Sequence, residues 1–97
     1  EDVWGTAKET NEGFLLLKGS KVSQKSAPQL SETLRNRRDR APKDQNNCLL
    51  EDVLLNSPST AANFLIGQNS NGLITWKNEL GETLKSIREQ QLKKEEA

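Results

Sequence analysis

Asn56-Ser57-Pro58-Ser59-Thr60-Ala61-Ala62-Asn63-Phe64-Leu65-Ile66-Gly67, followed by Asn71-Gly72-Leu73-Ile74-Thr75-Trp76-Lys77, is the stretch that decides the fold. Ser57 can accept a hydrogen bond from a free N–H of a first helical turn. Pro58 fits the next position, where its fixed φ helps and its missing N–H is not needed. Gly67 supplies a left-handed helix end. Asn71-Gly72 then reads as a tight turn of positive φ, and residues 73–77 as a strand presenting Trp76.

Outward from this stretch, residues 3–10 read as a first strand and residues 13–18 as a second, with Asn11-Glu12-Gly13 turning between them. Phe14-Leu15-Leu16-Leu17 is apolar at successive positions, as expected of a central strand in a sheet covered on both faces. Leu30 and Leu34 suggest a short helix that opens near Ser31 and runs out by Asp39, and Pro42 with Asn46-Asn47 marks residues 41–47 as a loop. Residues 48–55 form a third apolar run, interrupted by Glu51 and Asp52, with Cys48 expected as a small buried residue at its start. Leu84, Ile87 and Leu92 mark a weakly amphipathic terminal helix, whose end over residues 93–97 is expected to fray. Together these imply an α+β fold, a small mainly antiparallel sheet with two to three short helices. Residues 1–84 are expected to form the single domain, and residues 85–97 its C-terminal helix and tail.

The chain has 97 residues, enough for one modest core. Only 32% of residues are hydrophobic and mean hydropathy is −0.83, so that core must be small. The chain lacks methionine and begins at Glu1, the appearance of a piece of a longer protein. Cys48 is the only cysteine, which excludes an internal disulfide and suggests a reducing, cytoplasmic setting. No apolar run approaches the ~20 residues a membrane span needs.

Fourteen basic and fourteen acidic side chains cancel. The distribution is mildly uneven, with nine basic and seven acidic residues in positions 1–50 and five and seven in positions 51–97. The absence of histidine removes the commonest general base near neutral pH and any Ser-His or Cys-His pair. One cysteine without histidine cannot build a usual zinc site. Glu51 and Asp52, adjacent on an expected strand, point to opposite faces and cannot share a substrate. Gly19-Ser20-Lys21 lacks the earlier glycine of a phosphate-binding loop and reads as a turn. A noncatalytic domain without metal or cofactor is expected.

The basic residues that remain are suggestive. Arg35, Arg37, Arg38, Arg40 and Lys43 crowd into nine positions, and with Lys18 and Lys21 could track a phosphate backbone if the fold gathers them on one face. The alternative is a solvated helix face, partly neutralised by Glu32 and Asp39.

Residues 13–20 (Gly-Phe-Leu-Leu-Leu-Lys-Gly-Ser), residues 50–62 (Leu-Glu-Asp-Val-Leu-Leu-Asn-Ser-Pro-Ser-Thr-Ala-Ala), Asn71-Gly72, Trp76-Lys77 and Gly81-Glu82-Thr83-Leu84 together resemble the family known as domain of unknown function 4357. The likeness extends over roughly residues 4–84. It implies an accessory domain at the C-terminus of larger bacterial proteins, often after a GIY-YIG nuclease domain or within restriction-modification proteins. The Ser-Pro-Ser, Asn-Gly and Trp-Lys pattern is also similar to the RAMA domain, proposed to read modified DNA. Leu73 stands where many relatives carry tryptophan, so the likeness does not extend to a clamp of two indoles, and residues 27–47 carry no nameable pattern.

By this resemblance Ser57, Ser59, Asn71, Trp76 and Lys77 become candidates for a specific DNA-facing surface, with Trp76 stacking on a base and Asn71 and the serines bonding its edge. Each has a structural alternative as cap, turn or core residue. The expected partners are DNA and the catalytic domain of a parent chain. A rival reading is protein docking through Leu84, Ile87 and Leu92.

Overall fold

Thr10 and Gly13 close the hairpin that begins the fold, the Thr10 hydroxyl accepting from the Glu12 and Gly13 N–H groups and donating to the Gly13 carbonyl. The computed structural model describes residues 3–96. Strands β1 (Ala7–Thr10), β2 (Gly13–Leu16) and β3 (Val53–Leu55) form an antiparallel sheet in the order β1-β2-β3. Ala7 pairs with Leu16, and Phe14 with Leu55. Among the described residues the helices are α1 (Glu32–Arg40), α2 (Pro58–Ile66), α3 (Gly72–Thr75) and α4 (Leu84–Glu96). The α+β architecture and antiparallel sheet are as expected, with one helix more.

Alternation along the strands places Phe14, Leu16, Val53 and Leu55 on the face that α2 covers. α2 contributes Ala61, Ala62, Phe64 and Leu65 to the buried layer, and Val22, Leu30, Leu34 and Leu49 complete it. The opposite face is open: Leu15 pairs with Leu54, which is 38% exposed, and with exposed Lys8. The central position of β2 is as the sequence implies, whereas its cover is one-sided.

Ser57 caps α2, accepting from the Thr60 N–H at 3.1 Å, Pro58 sits in its first turn, and Gly67 ends it at φ 83°. Gly67 is fixed twice over, since a Cβ there would also overlap the Lys25 carbonyl. Ser31 caps α1 through the Leu34 N–H.

Several boundaries differ from expectation. The first strand shortens to Ala7–Thr10, with Trp4 pairing only as an isolated bridge to Lys21. The third strand is confined to Val53–Leu55, because Asp52 turns aside to accept from the Lys18 N–H at 2.7 Å. Cys48 is half-buried and bridges Lys21, so it is not the interior residue anticipated. The largest departure is at residues 73–77, read as a strand from Ile74 and Thr75 but folded into the single turn of α3. Asn71 has φ −95° instead of a positive φ; its Oδ1 accepts from the Leu73 N–H and its carbonyl from the Thr75 hydroxyl, a local capping that overrides strand propensity.

α4 begins at Leu84, which packs against the core, and Arg88 pairs with Glu9 of β1 at 2.7 Å. The Asn78–Glu82 connection is tied to it by the Asn78 and Gln90 side-chain amides, which donate to the Glu82 carboxylate and hold its pKa below the ordinary value. Against the fraying expected over residues 93–97, α4 runs through Glu96, and Ala97 lies outside the described residues.

Candidate nucleic-acid interface

The four polar and aromatic candidates of the central stretch meet, but they face one another. Ser57 serves as the α2 cap, and its hydroxyl also bonds the Thr60 hydroxyl. Ser59 Oγ accepts from the Gly72 N–H at 3.1 Å, Asn71 caps α3, and Trp76 Nε1 donates to the Pro58 carbonyl at 2.9 Å. The Trp76 ring lies against Phe14, 5.4 Å between centroids and tilted by 53°. This is a junction that docks α3 and the Trp76 indole onto the start of α2. The Ser57 and Ser59 hydroxyls and the Trp76 indole N–H are used internally, Trp76 is partly buried against the core, and Asn71 is exposed with its Oδ1 engaged. Lys77 is exposed beside it, its backbone bridging Thr83. Trp76→Phe is expected to lower stability by about 1 kcal/mol, one neutral hydrogen bond with the ring contact kept, readable as a shift in denaturation midpoint. An unchanged midpoint would mean that the indole N–H contributes nothing to the junction.

Arg38 corrects the reading of the basic cluster. It is only 4% exposed, sits four residues after Leu34 on the inward face of α1, and reaches the C-terminal end of α2. Nε donates to the Phe64 carbonyl at 2.7 Å and Nη2 to the Ser23 carbonyl at 2.5 Å, while Nη1 donates to Ser26 Oγ. Two further carbonyls of that helix end are answered by the same neighbourhood: Leu65 by the Ser23 N–H, and Gly67 by the Ala27 N–H. Arg38 therefore finishes a helix at the negative end of its dipole and does not face solvent.

The other cations are dispersed. Lys43 Nζ donates to the Arg38 and Ala41 carbonyls at the end of α1; burial, then the Arg38 charge, lowers its pKa against the opposing pull of Asp39. Lys18 is exposed and Lys21 half-buried at the far side of the hairpin's register. Arg35 is half-buried, with Nε enclosed and without a hydrogen-bond partner. Arg37 and Arg40 are exposed and share a concave surface with Glu51 and Asp52. Arg37 Nη2 donates to the Leu54 carbonyl at 2.9 Å, which caps the free edge of β3.

Arg37 also stands at the wall of a larger open cleft of about 550 Å³ between α1, α2 and the β3 edge, a size suited to a small ligand. Buried Leu30, Leu34 and Leu55 form its base. Asn56, Asn63 and Asn69, with Thr33 and Thr60, supply uncharged hydrogen-bonding groups around it. No sequence motif marks these residues as a site; the available signal was Thr60 and Asn63, three apart on one side of a mainly apolar helix.

No curated protein and no solved structure matches the chain. The model of the family described as Domain of unknown function (DUF4357) matches residues 1–88, which covers all three strands, α1 to α3 and the first residues of α4. The chain belongs to this domain family.

Proposed function

We propose that this domain is a noncatalytic accessory unit of a larger bacterial nuclease or restriction-modification type protein, and that it contacts DNA through the α1 side of the cleft. The observation that carries the reading is the pair of exposed guanidinium groups, Arg37 and Arg40, on the outer surface of α1, with Arg37 at the wall of a concave surface rich in neutral hydrogen-bonding groups. Guanidinium groups engage phosphate oxygens in a forked geometry, and such contacts set position without reading sequence. Glu51 and Asp52 nearby limit the field, so the affinity expected is modest and salt-sensitive.

The test is fluorescence anisotropy on a labelled duplex across a salt series. Binding should fall as salt rises, with a log–log slope of roughly one per phosphate contacted, and Arg37→Ala with Arg40→Ala should weaken it about tenfold and flatten that slope. Unaltered affinity in the double variant would remove α1 from the interface. Arg38 is left intact in this test because it is interior.

Docking against the catalytic domain of a parent chain is the second reading. Leu80, 84% exposed, and Leu92, 58% exposed, favour it. Of the residues first considered for that role, Leu84 packs against the core and Ile87 lines a groove facing β1. Binding to such a partner should respond little to salt.

A further inference from the structure

We infer that the cleft between α1, α2 and the β3 edge is a receptacle for a single nucleobase displaced from its stack. This deepens the DNA-contact reading and rests on it. The argument is from the chemistry of the lining. Leu30 and Leu55, 2% and 1% exposed, fix the floor from beneath, and the apolar surface left for the face of a flat ring is that of Leu54, 38% exposed. Around it stand carboxamides, each offering both a donor and an acceptor, the combination carried by the edge of a base.

Asn63 is the best placed of these. Its Oδ1 is held by the Ser70 N–H at 2.7 Å and the Ser70 hydroxyl at 3.1 Å, which fixes the amide plane. Its Nδ2 has no partner among the described residues and is left to donate. Asn56, on the β3–α2 connection, carries an exposed amide also without a partner.

Other ligand classes fit less well. A free phosphate or carboxylate would meet Glu12 in the same lining and one guanidinium already partly engaged by the Leu54 carbonyl. A purely apolar ligand would strand the amides without hydrogen bonds. A base belonging to a strand held at Arg37 satisfies both, its ring against Leu54, its edge on the asparagines and its phosphate at the wall. Apolar and guanidinium surfaces are recurrent platforms for unstacked bases.

The experiment compares two duplexes under low salt, identical except that one carries 2-aminopurine opposite an abasic site and the other is abasic in both strands there. The wild-type chain should bind the first about tenfold more tightly and raise its 2-aminopurine fluorescence as the base leaves the stack. Asn56→Ala touches no internal hydrogen bond and should cut that preference severalfold while leaving affinity for the doubly abasic duplex intact. Asn63→Leu should abolish the preference, with its fold checked by circular dichroism. Equal binding of the two duplexes by the wild-type chain, or a preference that survives both substitutions, overturns the inference and leaves the phosphate contact standing. Failure to bind either duplex overturns the DNA reading itself, a separable result.

Discussion

Arg38→Ala is expected to destabilise the domain by about 3 kcal/mol, a fall of roughly 15 °C in Tm for a chain of this size. Three groups lose a donor in that variant, the Phe64 and Ser23 carbonyls and Ser26 Oγ, and the first two bonds are buried. An orphaned buried acceptor costs about 1–3 kcal/mol, towards the lower end where water can reach it from the surface recess that Ser23, Ser26 and Arg38 line. A domain of this length holds only about 5–15 kcal/mol in total, so the loss is a large fraction. Arg38→Lys should fall between the two: a compact ammonium retains the charge at the helix end but cannot reach three acceptors in a planar fork. A Tm within a degree or two of the parent for Arg38→Ala would show that the fork is not what joins α1 to the end of α2. Thermal denaturation followed by circular dichroism decides this directly.

The same residue explains how sequence and structure part company. Leu30, Leu34 and Arg38 recur at four-residue spacing, which is the inward stripe of a helix, yet a guanidinium on that stripe reads by type as a surface charge. What makes it interior is the Phe64 carbonyl 26 residues away and the Ser23 carbonyl 15 residues away, and nothing local announces them. The start and end of α2 were legible because Ser57, Pro58 and Gly67 act on their own backbone. The hairpin was legible for the same reason, through the Asn11-Glu12-Gly13 turn between two strand-like runs.

The open cleft was invisible in the sequence because no single motif builds it. Leu30 comes from the segment before α1, Asn56 from the β3–α2 connection and Asn63 from α2, and they meet only through packing. Conversely, Ser57, Ser59, Asn71 and Trp76 were legible as a group, and the structure does bring them together. Proximity proved to be largely mutual satisfaction: each bonds nearby backbone, although Asn71 also lies exposed. A polar–aromatic cluster in a small domain can be a fastening as readily as a reading surface, and the free hydrogen-bonding capacity is what separates the two.

The fastening can be tested at Gly72, where intrinsic propensity and packing pull in opposite directions. Gly72 is the first residue of α3, and alanine in a helix is favoured over glycine by about 1 kcal/mol, so a helix free of tertiary contact would gain from Gly72→Ala. Here a Cβ would overlap the Pro58 carbonyl group and the Ser59 nitrogen, all backbone and unable to rotate away. α3 must then lift from α2, stretching the Ser59 Oγ–Gly72 N–H bond and the Trp76–Pro58 bond together. The expected result is a net loss of about 2–3 kcal/mol despite the better propensity, the range of an overpacked contact. In a Trp4→Phe background, which removes the other, 54% exposed indole, the emission of Trp76 should move to longer wavelength as its ring leaves Phe14. A gain in stability with unshifted emission would mean that α3 is not docked as described. The same variant separates the two surfaces that have been considered for DNA. No residue of α3 lines the cleft, so at a temperature where Gly72→Ala remains folded, duplex binding through Arg37 and Arg40 should persist, whereas a recognition surface built on Trp76 would lose it.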